Sequence, residues 1–215
     1  MSAAPLPSAV AVQSDGRVAR GERTRRALAE AMISLLEEGH HNPTGRLIAE
    51  RAGVSLRLVF HHFDDLEAIL RASVAVQGER HWWRIQPVEV SNPLSKRVRI
   101  IVRQRADLYE SIASVRRVAL GMERRSPSVA AELERSRKIL RDHLQATFAA
   151  ELAGCSGAAR RRLVDALDAA TSFENWEGLR LSGRSDADAR RAIELLVESA
   201  LAPLTHADTT KGTRR

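Results

Sequence analysis

Apolar residues recur along this chain at intervals of three and four and almost nowhere alternate with polar ones, so the pattern predicts an all-α protein of about nine helices. Leu28, Ala31, Met32, Leu35 and Leu36 mark the buried face of a first helix over 17–38, with Ser14 or Asp15 as its cap and Gly39 at its end. A second, short helix opens at Pro43 or Thr44 and runs through Arg51, with Leu47, Ile48 and Ala52 facing inward. Gly53 permits a turn, and Ser55 caps a third helix carrying Val59, Phe60 and Phe63.

A longer fourth helix starts at Asp64 and Asp65, acids suited to a helix N-terminus, and continues toward Trp82 and Trp83. Pro87 and Pro93 mark a loop, after which helices are expected around Val98–Tyr109 and Ile112–Met122. Ser126-Pro127 is a helix start, and that helix is expected to reach Leu152, with Gly154 and Gly157 as the break. The eighth helix spans 158–181; the ninth opens at Ser185 with Asp188 as a capping box and stops at Pro203. The organisation expected is a disordered leader over 1–16, a three-helix domain over 17–63, a larger helical domain over 64–204 and a disordered tail over 205–215.

The stretch 44–63 is the most informative. Two short helices joined by a tight turn containing Gly form the pattern of a helix-turn-helix, whose second helix enters the major groove of double-stranded DNA. Thr44 and Ser55 stand at helix starts, where hydroxyls and backbone N–H groups bind phosphate. Arg46, Leu56, Arg57, Leu58, Phe60, His61 and His62 complete the candidate DNA-binding set. Arg57 is the best candidate for reading a base, because guanidinium pairs bidentately with guanine. The arm carrying Arg17, Arg20, Arg23, Arg25 and Arg26 is a further source of backbone or minor-groove contacts.

Overall charge adds little to this picture. The net charge is +7, yet residues 1–70 hold 8 Arg against 9 acids, while residues 71–215 hold 26 basic residues against 18 acids. The basic surplus therefore lies outside the proposed DNA reader. Hydrophobic residues make up 44% of the chain, and no run of about 18 apolar residues occurs, so a soluble, cytoplasmic protein without a membrane partner is expected. Cys155 is the single cysteine, so neither an intrachain disulfide nor a Cys-based zinc site forms. His40-His41 and His61-His62 are adjacent pairs, which point about 100° apart on a helix and make no i,i+4 metal site; no metal or cofactor is expected. No GxxxxGK, HExxH or GxSxG occurs, and no catalytic residue is assigned.

Residues 23–70 resemble the N-terminal domain of the TetR/AcrR family of bacterial transcription regulators. An Arg-rich helix ending in Glu37-Glu38-Gly39 carries the resemblance, followed by IAERAGVS, by VFHHF and by an acidic opening to the fourth helix. LYESIASVRR and TSFENWEGLR resemble, more weakly, the second domain of many members. The resemblance implies a homodimeric transcription regulator, more often a repressor, that binds a palindromic operator. A small-molecule effector would release it by changing the separation of its recognition helices. The sequence departs from the family pattern in four places: Phe60 stands where Tyr is usual, Leu66 where Lys is usual, Arg57 where a small residue is common, and Gly45 where an apolar residue is common.

For the second domain, Trp82, Arg103, Tyr109, Phe148, Thr171, Asn175 and Trp176 are the expected pocket residues, aromatics with a few convergent polar groups. Ile193, Leu196, Val197 and Leu201 are the expected dimer seam. The competing reading is an all-helical binding protein or enzyme bundle that does not contact DNA.

Overall fold

A computed structural model describes the backbone of residues 9–211, with side chains over 16–202. The leader and tail expectations for 1–8 and 212–215 lie outside the described residues. Among those described there are ten α-helices and one 3-10 turn, and no strand. They are α1 (Ala9–Glu37), α2 (Gly45–Ala52), α3 (Leu56–His62), α4 (Leu66–His81), α5 (Leu94–Met122), α6 (Pro127–Thr147), α7 (Ala149–Ala153), α8 (Gly157–Ala170), α9 (Phe173–Leu181) and α10 (Asp186–Lys211). The 3-10 turn, Trp82–Arg84, follows α4.

The departures from the expected elements have local causes. α1 begins at Ala9 rather than at Arg17, so residues 9–16, expected to belong to a disordered leader, are helical. The two helices expected within 98–122 are one, because no Gly or Pro interrupts the chain between Tyr109 and Ile112. The span 158–181 is instead two helices: Ser172 caps α9 by accepting from the Asn175 N–H at 3.1 Å. α6 and α7 part at Phe148, where Arg97 donates to the Thr147 carbonyl at 2.7 Å. α10 continues through Pro203 to Lys211, since a proline removes one donor without always ending a helix.

The chain forms two compact units that do not follow a single cut near residue 63. The first comprises residues 1–78 and 114–133, the second 79–113 and 134–215. The core of the first unit is built on α1, whose Leu28, Ala29, Ile33, Leu35 and Leu36 pack with Ile48, Ala49, Val59 and Phe63 of the helix-turn-helix. Ile69, Leu70 and Val74 of α4, Val115 and Ala119 of α5, and Val129 and Leu133 of α6 belong to the same core. Two buried hydroxyls tie these helices together. Ser73 donates to the Ala29 carbonyl at 3.1 Å, and Ser126 caps α6 while donating to the Glu67 carboxylate.

In the second unit α10 packs on α8, α9 and α7, around a core that includes Leu108, Tyr109, Leu144, Phe148, Leu152, Leu167 and Trp176. Arg97 crosses this unit as a buried ion pair, its guanidinium forked onto both carboxylate oxygens of Glu151, one at 2.9 Å, and onto Thr147 and Asn92 carbonyls. The bonds from Arg97 hold the Glu151 carboxyl below its ordinary range.

A folded-state pKa below the unfolded one gives stability that is fully present above the unfolded value of about 4.5 and lost as pH falls through the folded value. Glu151→Ala leaves Arg97 buried without its counter-charge. It should cost roughly 3–5 kcal/mol in urea unfolding at pH 7, with the difference from the parent protein shrinking below pH 4.5. A pH-independent loss would show that packing, not charge, is what Glu151 supplies.

Candidate nucleic-acid interface

The helix-turn-helix is set by three local devices. Thr44 caps α2 by accepting from the Leu47 N–H at 3.3 Å, and Ser55 caps α3 by accepting from the Leu58 N–H at 3.2 Å. Between them Gly53 takes φ 68°, a left-handed conformation that costs a side-chain-bearing residue about 1 kcal/mol or more. Its N–H and that of Val54 close the end of α2 on the Glu50 and Ala49 carbonyls. Both cap hydroxyls keep their own O–H free to donate to a phosphate oxygen.

Ion pairs and stacking fix this unit to α1. Arg51 reaches back in a fork to Glu38, 2.6 Å to each carboxylate oxygen, and to Ser34 at 2.7 Å, which lowers the Glu38 pKa. Arg25 donates to the carbonyl of His62 at the end of α3 and lies 4.4 Å over the Phe63 ring. A cation at a helix C-terminus is favourable, so Arg25 holds α3 rather than waiting for DNA. Arg26 pairs with Glu30 one turn along α1. Of the expected arm, Arg17, Arg20 and Arg23 are exposed along the helix α1.

The exposed face of α3 consists of Leu56, Arg57, Phe60 and His61. Arg57 makes no hydrogen bond or ion pair with another described residue. Arg46 is exposed but leans on Glu50 at 3.3 Å. Leu58 and His62, expected on the DNA face, are half-buried because they flank Val59 and Phe63 at the packed side of the helix. Burial, then the charges of His61 and Arg25, lower the His62 pKa. Phe60, a member of the expected DNA-binding set, is 50% exposed and does not pack with Val59 and Phe63 in the core.

A contact invisible in the sequence links Phe60 to the first residue of α2. Gly45 is buried, and a Cβ there would lie 3.2 Å from Phe60 Cζ and 3.4 Å from Leu56 Cδ1. The missing side chain at Gly45 and the two large apolar ones on α3 are therefore one packing solution. Leu66, at the start of α4, is half-buried against the core of this unit.

In the second unit most of the expected pocket residues are core. Tyr109, Phe148, Thr171 and Trp176 are buried, and three of them spend their polar atoms internally. The Tyr109 hydroxyl donates to the Thr171 carbonyl at 2.8 Å, Thr171 Oγ1 to the Leu167 carbonyl at 2.9 Å and Trp176 Nε1 to Glu110 at 3.2 Å. Asn175 donates to the Ala170 carbonyl at 2.7 Å, closing the α8–α9 junction. Trp82, in the 3-10 turn, is half-buried and does not line the groove, which takes Trp83 instead. Arg103 alone of the expected set lines a cavity of about 830 Å³, with Trp83, Arg84, Gln86, Gln104, Asp107 and Glu110. Of the expected seam, Ile193, Val197 and Leu201 are buried within the protomer, because that stripe of α10 faces α8 and α9. Leu196 is exposed, beside Leu195. Among the described residues no three His, Cys, Asp or Glu side chains gather as a metal site, and no helix is long and apolar enough to cross a membrane.

Two capped helices held at a glycine turn on a three-helix core, with the second presenting an unpaired arginine, define a DNA-binding regulator of the helix-turn-helix class. Residues 27–73 match the model of the bacterial regulatory proteins of the tetR family, so this N-terminal segment is similar to the DNA-binding domain of those regulators. The fold extends the likeness. A transcriptional regulator from Rhodococcus sp. Rha1 is 19% identical with a TM-score of 0.64, covering 85% of this chain and 96% of its own. A protein from Mesorhizobium loti MAFF303099 named as a TetR-family transcriptional regulator is 18% identical with a TM-score of 0.55, covering 85% of this chain and 97% of its own. The multidrug binding protein EbrR, complexed with imidazole, is 18% identical with a TM-score of 0.52, covering 80% and 93%. No curated protein matches the sequence.

The Gly45 contact generates a test. Gly45→Leu must push the Phe60 ring and the Leu56 methyl aside, and the ring is free to move into solvent. Thermal stability should stay within about 1 kcal/mol of the parent, helped by better helix propensity. DNA affinity should fall at least tenfold, and Phe60→Ala in the same chain should recover part of it. Equal loss in the single and double variants would show that Gly45 matters for itself and not through Phe60.

Proposed function

We propose that this chain is a ligand-responsive repressor that binds a palindromic operator as a homodimer and leaves it when a small molecule binds. The observation that carries the reading is the exposed face of α3, with Arg57 unpaired and Leu56 and Phe60 solvent-facing beside it. In a major groove Arg57 pairs with guanine, while Leu56 and Phe60 suit thymine methyl groups. Thr44 and Ser55 supply hydroxyl donors to flanking phosphates, with Arg46 and His61 adding charge or hydrogen bonds at the edge. Leu58 and His62 act by positioning the helix. A cytoplasmic location, close to the DNA, and the absence of catalysis go with this reading.

The second unit is read as the effector and dimerisation domain. Its groove supports the first role, and EbrR, a protein of like fold, is described as binding multiple drugs. The exposed pair Leu195 and Leu196 supports the second.

Selection from random duplexes should return one palindrome, bound far above random DNA, with affinity falling steeply as salt rises. Arg57→Ala should cost about 1–3 kcal/mol on that duplex and relax preference at one base position per half-site. Uniform weakening on all sequences would assign Arg57 to phosphate, and no selected sequence at all would leave the helical-bundle reading in place.

The seam is tested by charge. Leu195→Glu with Leu196→Glu should halve the mass in light scattering while the protein stays helical and melts cooperatively. Val197→Glu places a charge in the protomer core and should unfold it instead. A double variant of unchanged mass would move the seam elsewhere.

A further inference from the structure

Arg105 sits on α5 in the second unit and is 3% exposed. Its guanidinium donates to the Leu140 carbonyl at 2.6 Å and to the Tyr109 hydroxyl at 3.4 Å, and its Nε–H is buried without an acceptor. No carboxylate among the described residues pairs with it. The contrast is with Arg97, equally buried in the same unit, whose charge is met in a fork by Glu151. A guanidinium taken out of water without a counter-charge is among the costliest groups a core holds. A site that awaits a charge from outside accounts for it.

The surroundings of Arg105 are also incomplete. His143 places Nε2 at 2.9 Å from the Gln86 carbonyl, and Gln104 Nε2 donates to the same carbonyl at 3.1 Å. A carbonyl accepts, so Nε2 of His143 carries the proton. Burial first, and the Arg105 charge as well, disfavour a second proton, against the opposing pull of the Gln86 carbonyl. His143 Nδ1 is then an acceptor, and it is buried without a donor; so is Gln104 Oε1. One cationic donor and two neutral acceptors are left unmet in one neighbourhood. Gln86 and Gln104 also line the 830 Å³ groove, a size that suits a small organic ligand. The acids of that groove are already engaged, Asp107 with Arg190 at 2.8 Å and Glu110 with Arg180 at 2.9 Å. Arg103 has no partner there, Arg84 lies 4.4 Å over the exposed Trp83 ring, and the groove is left cationic and aromatic.

We propose that Arg105 anchors a site for a small organic carboxylate, entered through the groove of Trp83, Gln86, Arg103 and Gln104, with a ligand hydroxyl or amine taken by His143 Nδ1 and Gln104 Oε1. The carboxylate supplies the counter-charge that Arg105 lacks, and the planar fork of guanidinium fits its two oxygens. A neutral ligand would fill space and leave the charge uncompensated. The proposal rests on the reading of this unit as an effector domain and narrows the effector to an anion.

The test uses the full chain with benzoate, 3-hydroxybenzoate and hexanoate, each against its neutral amide, followed by calorimetric titration and thermal unfolding. At least one carboxylate should bind ten or more times tighter than its amide and raise Tm. 3-Hydroxybenzoate should exceed benzoate, an advantage lost in His143→Phe. Arg105→Met should abolish carboxylate binding while the ligand-free variant melts at or above the parent temperature, because an unmet buried charge has been removed. Carboxylates and amides binding alike, or no carboxylate binding at all, would overturn the proposal. So would an Arg105→Met protein that melts well below the parent or fails to fold, since Arg105 would then be a structural donor to Leu140 and Tyr109. Operator binding is measured in parallel: intact operator binding with no carboxylate binding overturns the site alone, whereas a bound carboxylate that leaves operator affinity unchanged supports the site and overturns the effector reading.

Discussion

Helices α2 and α3 are eight and seven residues long, far too short to persist alone in water, so the DNA-reading face exists only because α1 holds it. Burial of Ile48, Ala49, Val59 and Phe63 against Leu28, Leu35 and Leu36 supplies the stability that length denies them. The polar contacts then fix position rather than add much energy. Arg51 locks the end of α2 to Glu38, and Arg25 holds the end of α3 by its last carbonyl and by the face of Phe63. A recognition helix must be rigid to discriminate bases, since a loose one recovers any mismatch by moving. The arginines of this unit are thus divided: Arg25 and Arg51 hold the two short helices, and Arg57 is exposed without a partner among the described residues.

The second unit follows a different economy, in which buried charge is the feature that orders the interior. Arg97 and Glu151 satisfy each other and fasten the α6–α7 break, and Arg141 does the same more superficially across Asp165 and Asp168. Against these completed pairs Arg105 stands out as unfinished. The same reasoning that makes Glu151 necessary makes the absence of an acid beside Arg105 informative: natural cores rarely leave such a group unmet without a use for it.

The expectations drawn from sequence held where a residue acts through its own backbone or its own period. Thr44, Gly53 and Ser55 each do locally what their chemistry predicts, and Leu28 through Leu36 face inward at helical spacing. They failed where the outcome depends on which elements meet. The aromatics of the second unit read equally as pocket or as core, and only tertiary packing shows Phe148 and Trp176 inside. The α10 stripe of Ile193, Val197 and Leu201 has the width of a seam, but α8 and α9 cover it, leaving Leu195 and Leu196 outward one position away. In sequence Arg103 and Arg105 read equally as an anion contact or as a charged helix face, and His143 carried no signal, because a buried arginine without an acid differs from a surface one only in its surroundings.

The departures from the family pattern take on a common meaning once the packing is visible. By resemblance, the positions of Phe60 and Leu66 usually hold a tyrosine and a lysine that touch phosphate. Here Leu66 packs against the core of its unit, and Phe60 lies across Gly45, filling the volume that a side chain there would occupy. Each exchange removes a contact that is blind to sequence and replaces it with apolar surface. Counterion release contributes about 0.9 to the salt slope per phosphate met, so an interface stripped of such contacts draws less of its affinity from charge. On the proposed reading, what remains weighs more heavily on the groove, where Arg57, Leu56 and Phe60 would distinguish one base from another by hydrogen bond and methyl contact. The modest charge of the first 70 residues, which weakens the case for DNA binding if charge is the criterion, accords with the proposed interface, in which specificity would lie in shape and base edges and the backbone would be held by two cap hydroxyls and few cations.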